Sequence, residues 1–262
     1  MDHATVLALY DRTMRRGAVP DGPGARVERD GDVVRQTGPA HAWNGVLWSG
    51  LTAATADGAI AAQIRHYTDL GLAFEWKLHD HDAPHDLAER LRAAGFRPEP
   101  EEALMVAESA ALATPPVLPD GITLLAVTRP AQVRLVTEVH EEAFGTDAER
   151  LRVRLMEQLD ARPDAVAAVV ALDGGRPVSS ARLELTPGGD FAGLWGGGTV
   201  PEWRGRGLYR ALVAHRARIA AERGYRHLLV DASDMSRPIL RRLGFARLGT
   251  TTPYVYEPAI TG

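Results

Sequence analysis

Fifteen residues in the second half of the chain restrict its fold more than any others: Gly196-Gly-Gly-Thr-Val-Pro-Glu-Trp-Arg-Gly-Arg-Gly-Leu-Tyr-Arg210. An apolar run from Phe191 to Val200 leads in. Leu208, Ala211, Leu212 and Ile219 lead out on one face of a helical pattern that Gly224 stops. The segment therefore reads as a strand, a Gly- and Arg-rich loop, and a helix. Such a junction suits an anion, because first-turn N–H groups have no intrahelical acceptor and the macrodipole is positive there. Gly205 and Gly207 let a phosphate reach the backbone with no Cβ in the way, and Arg204, Arg206 and Arg210 add positive charge. It is not a dinucleotide fingerprint, since Gly205-x-Gly207-x-x-Arg210 lacks the third glycine, and it is not a P-loop lysine motif.

Signals on both sides of this junction organise the chain. Ala110 to Asp120 contains Pro115, Pro116 and Pro119, which fix φ and remove backbone donors, so neither a helix nor an inner strand continues through it. We place a linker at 111–120 between an N-terminal domain, 1–110, and a C-terminal domain, 121–262. Beyond the linker the pattern predicts a strand over 121–128, helices over 131–144 and 147–159, and a strand over 164–172. A hairpin of strands 177–185 and 191–200 follows, then helix 208–222, strand 225–230, helix 237–243 and strands 245–248 and 252–256. Hairpins mixed with βαβ crossovers predict a mixed sheet with helices on both faces. The first half ends in the same order: strand 43–51, helix 58–70, strand 72–78, helix 84–94. Its LAERLRAAGF, ending at Phe96, parallels RPILRRLGF, ending at Phe245, each a helix C-cap handing the chain to a strand.

The chain has no cysteine, which removes disulfides, thiolate metal sites and a cysteine nucleophile. With 30 basic and 34 acidic residues the formal net charge is -4, so the basic field that gathers nucleic acid is missing. No stretch approaches the roughly 18 apolar residues of a membrane span. The sequence from Met1 shows no basic region followed by an apolar run. We expect a cytoplasmic protein that engages neither membrane nor nucleic acid.

At the strand-to-helix junction the chain resembles the GNAT acetyltransferase superfamily. The family's acyl-CoA signature, Arg/Gln-x-x-Gly-x-Gly/Ala, is met by Arg204-Gly-Arg-Gly207-Leu-Tyr209 at two of its three positions, with Tyr209 replacing the final small residue. Val200-Pro201 before the loop and Leu243-Gly244-Phe245 after the last helix sit where the family has them, and the resemblance covers about residues 120–257. It implies an α/β (α+β) fold of two GNAT-like domains, each a mixed, mostly antiparallel sheet flanked by helices. The first domain is degenerate: its counterpart of the loop, Ser49 to Gly58, has no arginine and no Gly-x-Gly. The resemblance further implies transfer of an acetyl group from acetyl-CoA, without a metal, to an amine of a small molecule. Attack would be direct, in a ternary complex, in a monomer or homodimer. The pantetheine arm would pair with Gly197, Gly198 and Thr199, and Gly196 to Gly198 fit either a bulge that opens a wedge for it or a simple kink. The pyrophosphate would meet the N–H groups of Gly205, Arg206, Gly207, Leu208, Tyr209 and Arg210, with Arg204 beside it. The alternative is a non-catalytic CoA-binding sensor or partner-binding module.

Direct attack needs a base, a carbonyl polariser and an acid for the thiolate. The family's usual acid, a Tyr four residues before the glycine of the Gly-Phe, is here Leu240, and its frequent Asn is Ser233, whose hydroxyl also suits a helix N-cap. Tyr254 and Tyr256 share one face of the last strand, either as proton donors or as packed aromatic residues. Glu184, on the polar face formed with Ser180 and Arg182, is the candidate base. The candidate catalytic residues are thus Ser233, Tyr254 and Glu184. His215 reads as a core histidine. In the first half, His79-Asp-His-Asp-Ala-Pro-His85-Asp86 has metal-ligand chemistry, but Asp82 and Pro84 read as a helix cap and first turn. Trp43, Trp48, Glu75, Trp76 and Lys77 either line an acceptor pocket or belong to the core.

Overall fold

Period-two apolar spacing becomes strand in a computed structural model that describes residues 1–258; the last four residues of the expected C-terminal domain lie outside the described residues. The chain forms two compact units that alternate along the sequence. The first takes Met1–Leu104, Asp231–Arg237 and the residues from Arg247 on; the second takes Met105–Val230 and Pro238–Ala246.

The first unit begins with α1 (His3–Tyr10), which runs into a π-helical turn, Asp11–Arg16. Then come β1 (Arg26–Asp30), β2 (Val33–Thr37), β3 (Gly45–Ser49), α2 (Ala56–Asp69), β4 (Phe74–His79), α3 (Leu87–Ala93) and the short β5 (Arg97–Pro98). β1, β2 and β3 pair antiparallel in turn, whereas β3 and β4 pair parallel. Ile60 and Tyr67, two turns apart on α2, pack with Phe74, Trp76, Leu91 and Phe96. The Tyr67 hydroxyl donates to the Gln36 carbonyl at 2.6 Å, and burial pushes its pKa up to about 12.

β6 (Glu102–Glu108) carries the chain into the second unit. There follow α4 (Ser109–Leu112), β7 (Ile122–Val127), α5 (Val133–Phe144), α6 (Glu149–Ala161), β8 (Val166–Asp173) and β9 (Arg176–Leu185). β10 (Phe191–Thr199), α7 (Leu208–Glu222), β11 (His227–Ala232) and α8 (Arg237–Arg242) complete the list. β7 to β10 pair antiparallel in turn, and β10 pairs parallel with β11. Alternation along β8 covers both faces of this sheet. Val166, Ala168 and Val170 pack on Val133, Val136, Leu155 and Leu159 of α5 and α6, while Val169 and Ala181 meet Leu212 of α7. Each unit is thus a mixed, mostly antiparallel sheet with helices, the fold class the sequence implies.

Three features differ from the sequence reading. The expected strands 245–248 and 252–256 form one strand, β12 (Ala246–Tyr256), which passes through Pro253 and pairs antiparallel with β4 and β5 of the first unit. Pro253 has no N–H to donate, and its carbonyl accepts the Glu99 N–H at 2.8 Å. The division of the chain falls inside β6, at Leu104/Met105, rather than in 111–120. The prolines end regular structure locally, but Leu118 packs against the cluster of Ile122, Val139 and Val178 and belongs to the second unit's core. The hairpin of β1 and β2 carries no apolar alternation on its outer strand, where no residue is buried, so hydrophobic spacing does not reveal it.

The repeat is geometric. Gly95 and Gly244 have φ of +96° and +100°, and the N–H groups of Phe96 and Phe245 donate to the carbonyls of Leu91 and Leu240 at 3.0 Å each. Both are left-handed glycine C-caps. Leu240 is 0% exposed, as is Leu91, so the aliphatic side chain at this position anchors its helix to the core in both copies.

Candidate active site

β10 starts paired to β11 and then leaves it. Only Phe191 to Gly193 are in register with His227 to Leu229. On its other side, the register with β9 slips between Trp195 and Gly198, and Gly196 has φ +56°. This is the bulge reading of the three glycines, in which an extra residue bends the strand. Space is tight beyond it, because a Cβ on Gly197 would stand 3.0 Å from the Tyr209 ring and one on Gly198 would stand 3.0 Å from the Phe144 ring. Gly198 and Thr199 keep their register with Ser180 and Ser179 on β9, and the Ser179 hydroxyl donates to the Gly198 carbonyl at 2.7 Å. Their opposite edge faces the side from which β11 has diverged.

The loop that follows is built around backbone. Pro201–Trp203 makes one 3-10 turn. Arg204 braces the loop, donating from Nε to the Thr199 carbonyl at 3.1 Å and from Nη2 to the Ala143 carbonyl at 2.8 Å, near the C-terminus of α5. Arg206 lies 4.5 Å over the Trp203 ring. Gly205 and Gly207 have φ of +75° and +89°, which L side chains adopt only with strain, and Gly207 is the N-cap of α7. The helical ladder opens with Ala211 N–H to the Gly207 carbonyl at 3.0 Å, which leaves the N–H groups of Leu208, Tyr209 and Arg210 in the first turn. Leu208, 1% exposed, pins this turn to the core beside Val139 and Val200. The exposed side chains of Arg206 and Arg210 surround a helix N-terminus, which is the chemistry of a phosphate site.

The candidate catalytic residues divide between the units. Glu184 belongs to the second, where Arg154 Nη2 donates to its two oxygens at 3.2 and 3.4 Å. Ser233 and Tyr254 belong to the first. Ser233 is exposed, its carbonyl accepts the N–H groups of Ser236 and Arg237 at the start of α8, and its hydroxyl lies 3.3 Å from that of Ser236. The Tyr254 ring is 2% exposed within the core that holds Trp76 and Phe96, with the Arg92 guanidinium 5.4 Å from its centre. His215 is half-buried, and burial, then the charges of Arg218 and Arg216, lower its pKa. On the same helix it is Arg216, 1% exposed, that is locked in the core. Its Nε and Nη1 donate to the carbonyls of Leu212 and Arg182 at 3.1 and 2.9 Å, and burial pulls its pKa down to about 10.

Residues 133–245 match the model of the acetyltransferase (GNAT) family. They form a GNAT acetyltransferase domain. Among solved structures the chain is similar to a GCN5-related N-acetyltransferase from Kribbella flavida, at 19% identity over 99% of this chain and 95% of that one, with a TM-score of 0.68. It is also similar to a functionally unknown conserved protein from Staphylococcus epidermidis, at 16% identity over 93% and 97%, TM-score 0.72. A tandem GNAT protein from the clavulanic acid biosynthesis pathway shares 15% identity over 93% and 86%, TM-score 0.62. These likenesses are of fold. Among curated proteins, none matches the sequence.

The first unit repeats the GNAT domain's splayed strand pair and fills it from within. β3 and β4 are in register only at Gly45/Glu75 and Val46/Trp76. Beyond that point Arg15, 2% exposed, donates from Nε to the Leu47 carbonyl at 3.1 Å, from Nη1 to Asp11 at 2.8 Å and from Nη2 to both oxygens of Asp82 at 2.7 and 2.6 Å. Asp82 is therefore the partner of Arg15 and not a helix cap: α3 begins at Leu87, with Asp86 before it. His81 bonds Asp11 at 3.0 Å and His79 bonds Tyr10 at 3.1 Å. Among the described residues no group of three or more His, Cys, Asp or Glu side chains is arranged to hold a metal ion, and no helix is long and apolar enough to cross a membrane.

Of the tryptophans singled out in the first half, Trp76 is core at 1% exposure. Trp43 Nε1 donates to Glu75 at 2.9 Å, and the Trp48 ring takes the guanidinium groups of Arg16 and Arg29 at 4.7 and 5.2 Å. Lys77 forms an ion pair with Asp231. Burial is the largest influence and would lower the Lys77 pKa, but Asp231, Tyr10 and Glu75 together outweigh it and raise the value. Glu102, near the same pair, has its pKa pushed up to about 7, first by burial and then by the Asp231 carboxylate. Sequence spacing gives no sign of this cluster, whose members come from distant strands.

Proposed function

We propose that this chain is an acyl-CoA-dependent N-acetyltransferase that moves an acetyl group from acetyl-CoA to an amine of a small molecule. The observation that carries the reading is the splay of β10 from β11 just before a helix N-terminus capped by left-handed Gly207. Gly197, Gly198 and Thr199 are assigned to the pantetheine arm. Gly205 to Arg210 are assigned to the pyrophosphate, with Arg204 holding the loop in shape. A Cβ at Gly205 would meet nothing within 4 Å, so the cradle is open on the side a phosphate would use. Acetyl-CoA supplies the thioester: the amine nitrogen forms a C–N bond, the C–S bond breaks, and one amine proton ends on the released thiol. Ser233, Tyr254 and Glu184 are the assigned proton-handling groups.

A second reading, CoA binding without turnover, is favoured by one observation: Leu240, at the position of the family's usual acid, is fully buried and aliphatic. Thiol release from acetyl-CoA with a panel of amines separates the two. The expected result is amine-dependent release that falls by roughly tenfold or more in an Arg204→Ala/Arg206→Ala double variant through weaker acetyl-CoA binding. Saturable acetyl-CoA binding without release for any amine supports the sensor. Among Ser233→Ala, Tyr254→Phe and Glu184→Gln, the variant that loses transfer while binding acetyl-CoA identifies the proton carrier, and unchanged transfer in all three removes the assignment.

A further inference from the structure

We propose that Arg182 receives an anionic group of the acceptor, so that the amine this protein acetylates carries a carboxylate. The inference rests on the acyltransferase reading above and extends it to the acceptor.

Arg182 lies on β9, an inner strand of the second unit, in register with Ala168 on β8 and Trp195 on β10. Its residue exposure is 9%, yet its Nε and Nη1 are buried without a hydrogen-bond partner. Nη2 stands 4.0 Å from Glu184 Oε1, too far for a hydrogen bond. Glu184 is held instead by Arg154 at 3.2 Å. Glu184 thus bonds Arg154, and the Arg182 guanidinium keeps two buried donors without a hydrogen-bond partner. A buried cation with unmet donors is costly unless a ligand completes it, and a monocarboxylate supplies both the charge and the acceptors. Burial and the charge of Arg154 lower the Arg182 pKa while Glu184 raises it. His140, on α5, has its pKa lowered by burial and then by the charge of Arg182.

Position links this group to the reaction. A Cβ on Gly196 would stand 3.3 Å from Arg182 Nε, which sets the guanidinium against the left-handed residue of the β10 bulge. The bulge adjoins the segment assigned to the pantetheine arm. A carboxylate held at Arg182 therefore brings an amino group a few bonds away toward the acyl carbon. Among the residues singled out from sequence, Arg182 was visible only as part of a polar face; its unmet donors emerge from the packing around it.

The test measures acetyl-CoA binding by calorimetry and then transfer to α-, β- and γ-amino acids, glycine, β-alanine and 4-aminobutyrate among them, each beside its primary amide. The wild type should prefer the acids by about tenfold or more in kcat/KM. Arg182→Gln should lower kcat/KM for the acids by roughly ten- to a hundredfold, mostly through KM, and lower it several-fold less for the amides, with acetyl-CoA binding retained. Arg182→Lys should recover part of the loss. Equal rates for acids and amides in the wild type, a measurement that needs no variant, would overturn the inference. So would an Arg182→Gln loss shared equally by amides and acetyl-CoA binding, or acetyl-CoA binding with no transfer to any acid. If the wild type does not bind acetyl-CoA, the acyltransferase reading falls first and takes this inference with it.

Discussion

The junctions from β3 to α2 and from β10 to α7 share a topology and differ in what occupies it. In both, the parallel partner strand pairs over two or three residues and then departs. In the first unit Arg15 reaches into that divergence, bonds the Leu47 carbonyl and is neutralised by Asp11 and Asp82. In the second the same place is bordered by a glycine bulge, first-turn N–H groups and exposed arginines. The same junction keeps its strand geometry when a buried arginine of the chain, rather than a helix N-terminus with glycines, borders the diverging edge.

The comparison breaks most readily at Arg15. Arg15→Ala leaves Asp82, whose side chain is 4% exposed, as a buried carboxylate without its guanidinium partner, still accepting the His79 N–H at 3.0 Å, and should cost about 3–5 kcal/mol in urea unfolding. Arg15→Met/Asp82→Leu should recover much of this, since removing both charges avoids the orphaned one. A double variant as unstable as the single one would show that the hydrogen bond to Leu47, not the ion pair, holds the strand.

A smaller, pH-gated effect is expected at Glu102. Its folded pKa, about 7, exceeds the ordinary glutamate value of 4.5, so the folded state resists its ionisation. The resulting penalty is absent below pH 4.5, grows as pH rises through the window, and is fully present above 7. Glu102→Gln should therefore raise the Tm relative to wild type at pH 8 and lose that advantage near pH 4.5. A pH-independent difference would contradict the burial argument.

The smallest effect separates structural from ligand-binding glycines. Gly58 lies in α2, in the first unit's counterpart of the loop, and a Cβ there meets nothing within 4 Å. Gly58→Ala should stabilise by about 0.5–1 kcal/mol and leave acetyl-CoA binding unchanged. Weaker acetyl-CoA binding in this variant would mean that the first junction still holds ligand.

Much of the site was legible because its determinants are local. The bounds of α7 follow from its apolar face and Gly224, and the matching caps at Gly95 and Gly244 follow from two similar strings of ten and nine residues. The bulge was visible as three glycines, though not distinguishable from a kink until its register was known. What sequence could not reveal depends on distant partners. Asp82 reads as a cap until Arg15, 67 residues away, is seen to claim it. The last strand is recognisable as a strand, but its pairing with β4 is fixed by packing in the first unit's core, where Tyr254 joins Trp76. Arg182 belongs to a polar face that alternation exposes, while its missing partner is a property of the sheet around it.

The most direct test of a single cofactor junction is titration calorimetry of acetyl-CoA into the full chain and into Gly207→Val. One site per chain is expected in the wild type. The affinity of the variant should be at least about tenfold weaker, because a β-branched residue resists the left-handed cap and crowds the first turn of α7. Two sites per chain, or equal affinity in both proteins, would contradict a single cofactor junction at α7.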